Sequence, residues 1–152
     1  MRSTLLFGAI VALATGIAIG VQSTLSSRVG SLIGGVRTGL LTNLFGGVVA
    51  GVLVLVLVVI QGRSSWQLPS LAIIMLVVSG SLGILIITGV SFSLQRTGVA
   101  AGLATIILGQ LLISGIVDTR GIGDVEPIPL TFQRVLGFAV MILAVFLLMP
   151  KE

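Results

Sequence analysis

Residues 98–137, GVAAGLATIILGQLLISGIVDTRGIGDVEPIPLTFQRVLG, decide how this chain is read. They open with an apolar helix, about residues 97–117, whose single amide, Gln110, stands near its middle. A short connection then carries three of the chain's four acidic residues, Asp118, Asp124 and Glu126, and a second apolar helix begins around Arg134. An apolar run of this length, with its charge held at the ends, must satisfy its backbone internally and can cross a bilayer. The rest of the chain extends the same pattern.

Charged residues make up 8% of the sequence, against about 25% in an ordinary soluble domain. With a mean hydropathy of +1.29, no segment can form a separate soluble domain, and residues 1–152 are expected to be a single transmembrane domain in the lipid bilayer. The fold class is all-α, with five membrane-crossing helices at about 3–27, 38–61, 70–94, 97–117 and 132–149. The start, MRSTLLFGAIVALATGIAIGVQ, resembles a cleaved leader, but its apolar run is too long for one and reads as a retained first helix. The run VLVLVLVVI at 52–60 has the composition of a strand, yet within so long an uncharged span it must be helical.

The absence of Cys and His removes disulfides, thiol nucleophiles and the commonest zinc ligands. There is no pair of carboxylates in one helix, and the Gly-rich segments lack the Lys and Ser/Thr of a phosphate loop. No catalytic residue, metal site or cofactor is therefore expected, and the chain does not read as an enzyme. The net charge of +4 comes from single basic residues between apolar runs. Without a basic patch, nucleic acid is not a partner.

The informative residues are the polar ones inside spans. Thr15, Gln22 and Ser26 share a face of the first helix. Thr15 reads as a backbone-bonded hydroxyl, but the Gln22 carboxamide has four hydrogen-bonding sites to satisfy at membrane depth. Asn43 is either a helix cap or a wall of a polar cavity. Ser79, Gly80, Ser81 and Gly83 let another backbone come close in the third helix. Gln110 and Ser114 share a face of the fourth, where an interhelical hydrogen bond and a substrate contact are both open readings. Gln22, Ser26, Asn43, Gln110 and Ser114 are the candidate substrate-binding residues, with Gln22 and Gln110 expected to face a shared cavity. Asp118 is expected either to pair with Arg120 or Arg134 at the membrane interface or to couple transport to an ion. Gly16 with Gly20, Gly98 with Gly102, and Gly109 are expected to mediate helix packing.

Several of these segments are similar to a known family. GxxAGLAxxxxGQLLxS at 98–114, Asp118 and Gly121 after it, PLTFQRVLG at 129–137 and VQSTLSSRVG at 21–30 resemble the small five-helix YdcZ-like family of the drug/metabolite transporter superfamily. The similarity covers essentially the whole chain, with Ser26 standing where the family pattern has Asn. The resemblance implies a transporter of a small-molecule substrate in the inner (plasma) membrane of a bacterium or archaeon, assembled from two five-helix units in inverted orientation. By the same resemblance, small multidrug resistance relatives are expected to exchange protons through a Glu in their first helix, and this chain has no acid there.

Charge placement bears on that assembly. With five spans, Arg2, Arg63, Arg120 and Arg134 fall on one side of the membrane and Arg28, Arg37, Arg96 and Lys151 on the other. An even distribution gives neither orientation an advantage, so the chain is expected to insert both ways and pair as an antiparallel homodimer. A heterodimer with a paralogous chain is the alternative assembly. A passive channel and a non-transporting accessory protein are the competing functions.

Overall fold

The computed structural model describes residues 2–122 and 126–151, with side chains from residue 5 onward. Asp124, expected in the acidic connection, lies outside the described residues. The helices are α1 (Arg2–Ile33), α2 (Gly35–Gln61), α3 (Ser70–Thr97), α4 (Val99–Arg120) and α5 (Phe132–Leu148), with a 3-10 turn at Arg63–Trp66. No strand occurs among the described residues, and the VLVLVLVVI run lies wholly inside α2. Among the described residues, four helices are long and apolar enough to cross a membrane. The fifth, α5, has 17 residues, which at about 1.5 Å per residue falls short of a hydrocarbon core of roughly 30 Å.

The junctions depart from the expected ones. A ten-residue connection over 28–37 was expected, but α1 continues to Ile33 and α2 restarts at Gly35. The whole break is Gly34, with φ 87° and ψ 150°. Gly98, between α3 and α4, has φ 78° and ψ 163°, and Gly62 after α2 has φ 83° and ψ 152°. This part of backbone space is essentially reserved for glycine. One such residue turns the chain without a loop, which is why the surrounding glycines, read as linker, are helical instead.

Two structural units divide the chain, one of residues 1–92 and one of residues 93–152. In the first, burial concentrates on small and polar side chains: Ser23, Ser26, Thr38 and Ser91 are all nearly inaccessible. Thr38 satisfies its hydroxyl by donating to the Gly34 carbonyl at 2.9 Å, so it can be buried without an unmet hydrogen bond. The closest approach is at Gly39, where an added Cβ would stand 2.7 Å from the Ile84 carbonyl oxygen and collide with the Thr88 hydroxyl. Without bulky side chains at the crossing, α2 and α3 meet backbone to backbone.

In the second unit, α4 packs on α5. Phe138 lays its ring over Gly115, where a Cβ would come within 2.8 Å of Cζ, and Leu94 covers Gly102 in the same way at 2.8 Å. Gly121 takes the left-handed conformation at φ 63° and closes α4. The Ile128 N–H then returns to the Asp118 carbonyl at 2.8 Å, and the Thr131 hydroxyl accepts the Arg134 N–H at 3.4 Å as the N-cap of α5.

Of the glycines expected to pack helices, Gly102 does so, while Gly98 serves as a turn. Gly16, Gly20 and Gly109 have nothing within 4 Å of the place a Cβ would occupy.

Candidate functional site

A cleft of about 530 Å³ opens in the first unit between α1, α2 and α3. Its space comes from Gly46 and Gly47 on α2 and Gly80 and Gly83 on α3, and its apolar wall from Ala50, Ile84, Ile86 and Ile87. Into this wall are set three polar side chains, Gln22 from α1 and Thr42 and Asn43 from α2.

Their hydrogen bonds set them apart. Asn43 donates one Nδ2 N–H to the Gly39 carbonyl at 2.8 Å, which orients the amide and turns Oδ1 the other way. That oxygen lies over Gly83, 2.7 Å from where a Cβ would be. Asn43 Oδ1 accepts no hydrogen bond among the described residues, and Gln22 makes none. Thr42 is the unexpected member. Thr15, Thr24, Thr38, Thr88, Thr97, Thr105 and Thr119 each donate to the carbonyl four residues back. Thr42 alone among the helical threonines with described side chains does not, and it lines the cleft with its hydroxyl making no hydrogen bond.

Ser26, expected among the contacts, is 4% exposed and is not part of the cleft lining. Thr42, Gly80 and Gly83 were not singled out as site residues from sequence. The available signal was the pairing of Thr42 with Gly46 and of Asn43 with Gly47, each four residues apart and so each a polar group beside an empty one on the same helical face.

In the second unit, Ser114, Asp118 and Arg134 line a separate pocket of about 350 Å³ with Leu111, Gly115, Gly137 and Phe138. Arg134 Nη2 donates to Asp118 Oδ2 at 2.9 Å, with about a third of each side chain exposed (33% and 32%). Arg120, the other cation considered for Asp118, is exposed and makes no such contact. The backbone explains the choice: the cap at Thr131 and the bond from Ile128 to the Asp118 carbonyl bring the first turn of α5 beside the last turn of α4. Gln110 is exposed on α4, makes no hydrogen bond and lines none of the described pockets. Gln22 and Gln110 belong to different units. No group of three or more Asp or Glu capable of holding a metal occurs among the described residues.

Residues 7–147 match the family model described as "Putative inner membrane exporter, YdcZ". The chain belongs to the YdcZ family. Neither a curated protein nor a solved structure matches it. The YdcZ match runs from α1 to the last turn of α5 and takes in both the cleft and the Asp118–Arg134 pair. With the four long apolar helices, it makes the chain a multi-pass membrane protein of an exporter family.

Proposed function

We propose that the chain is a secondary transporter that moves a small polar or amphiphilic solute by alternating access, with the Gln22, Thr42 and Asn43 cleft as the solute site. The observation that carries this reading is the convergence of polar groups from Gln22, Thr42 and Asn43, each with hydrogen-bonding capacity left open, on one glycine-lined and otherwise apolar cleft. Polar groups left open at membrane depth are costly. A solute that completes their hydrogen bonds offsets that cost.

The functional assembly in this reading is an antiparallel homodimer of five-span chains. Its support is the even split of basic residues and the open glycine positions within each unit, Gly16 and Gly20 on α1 and, separately, Gly109 on α4, each of which another copy can approach closely. In the dimer, Gln110 and Ser114 supply further contacts and Gln22 and Gln110 share a cavity. The single transmembrane domain includes α5, which tilts little and relies on flanking residues to reach both interfaces. Nothing in the chain fits a role for ATP.

Counterflow in proteoliposomes tests transport directly. Solute inside the vesicles should accelerate uptake from outside, as exchange through one alternating site requires. Uptake that proceeds without exchange acceleration would instead identify a passive pore.

A further inference from the structure

We infer that the solute accepted by this cleft carries no net charge and presents a hydrogen-bond donor beside an apolar body. The inference rests on the reading of the cleft as the solute site and deepens it. Charge is missing from the cleft altogether. No Asp, Glu, Lys or Arg lines it, and neither does any Phe or Trp. A cation would find neither a carboxylate nor an aromatic face, and an anion would find neither a guanidinium nor an ammonium. An ion moved from water into such a place without a counter-charge meets a desolvation cost that dipoles alone recover poorly.

A second copy of the chain does not change this. Residues 3–27, 38–62, 64–95, 97–117 and 135–150 contain no charged residue at all, so any copy carries its charges at helix ends. The acid nearest a span, Asp118, is already held by Arg134.

The groups that are present define the complement. One Nδ2 N–H of Asn43 is donated to Gly39 while Oδ1 accepts nothing from the described residues, so the open acceptor is the group a solute O–H or N–H completes. Gln22 and Thr42 can each donate or accept, so they hold the other side of the same polar edge. The isoleucine wall takes the apolar remainder. At about 530 Å³, the space is within the usual range for a small-molecule site, roughly 300–1,000 Å³.

The test uses the full-length protein in detergent and four probes on one scaffold: naphthalene carboxamide, its N,N-dimethyl derivative, naphthylmethylammonium and naphthoate. Apparent affinities are read from the concentration dependence of the thermal transition. The primary carboxamide should bind about tenfold or more tightly than either ion, a difference of about 1.4 kcal/mol, and the dimethyl form should lose most of its affinity. Asn43→Asp should reverse the order in favour of the ammonium. If that variant does not fold, Gln22→Glu, at an exposed position, makes the same exchange.

Either ion binding as well as the carboxamide, no saturable carboxamide binding, or an unchanged order in the carboxylate variant overturns the inference. An ammonium that binds tightest and is lost in Gln22→Leu would keep the cleft and overturn only the solute class. Carboxamide binding that survives Gln22→Leu would overturn the cleft itself.

Discussion

Threonine in a membrane helix ordinarily spends its hydroxyl on the carbonyl one turn back, and seven threonines here do so. Thr42 differs, and the difference yields a prediction at the scale of one atom. Thr42→Val keeps the shape and removes the hydroxyl, so it should lower solute affinity about fivefold to tenfold, the size of one net hydrogen bond. The melting temperature should stay unchanged, because no intramolecular bond is lost. Thr38→Val, 0% exposed and bonded to Gly34, is the control and should alter stability instead. Asp118 carries a second prediction. Its carboxylate is held by Arg134 at a helix end, so Asp118→Asn should leave the pH profile of transport in place while reducing thermal stability. A profile flattened by this substitution would assign proton coupling to Asp118. Sequence reading singles out Gln22, Asn43 and Asp118 as candidates because each is conspicuous in an apolar run. It passed over Thr42 because whether a hydroxyl bonds its own helix depends on rotamer and neighbours.

At the level of helices, the glycines sort into two physical kinds that look identical in the sequence. Gly39 lies against the α3 backbone, whereas Gly46 faces open space. Gly39→Ala should destabilise the protein by about 1–3 kcal/mol, since the added methyl meets the Ile84 carbonyl and backbone must shift. Gly46→Ala should leave stability near its original value and act on the volume of the cleft. Thermal denaturation in detergent separates the two, and equal losses would contradict the close crossing of α2 and α3 at Gly39. Helical character and the five helices were legible from apolar length, but of the five expected spans only four are long enough to cross. The junctions were not, because Gly30, Gly34 and Gly35 have the composition of a loop, and only their backbone angles show that a single residue makes the turn.

For the molecule as a whole, orientation in the membrane has the largest consequence. Ser64 lies in the 3-10 turn after α2 and is exposed, and the chain has no native Cys. In Ser64→Cys, a membrane-impermeant maleimide applied to intact cells should label about half of the copies, as an unbiased distribution of Lys and Arg implies. Adding two Lys beside this position should drive the turn into the cytoplasm and abolish transport, with rescue by a co-expressed copy biased the other way. Uniform labelling of the unaltered chain would sink the antiparallel homodimer and favour a parallel assembly or a paralogous partner. Composition reveals the membrane and the evenness of charge. It does not reveal pairing, which depends on surfaces such as Gly16, Gly20 and Gly109 that the single chain leaves uncovered.

The one-residue turn at Gly34 also works as a gear. Because α1 and α2 are joined without slack, the rotational phase of α2 is set by residue count, and each residue added to a helix rotates the residues beyond it by about 100°. One alanine inserted after Ile33 would leave hydropathy, span number and charge balance untouched. It would nevertheless swing Thr42 and Asn43 away from Gln22 and dismantle the cleft, whereas the same alanine after Ser64, in the short turn beyond α2, should be absorbed. Solute recognition in this protein is therefore written partly as arithmetic, in the number of residues between two helices rather than in their identity.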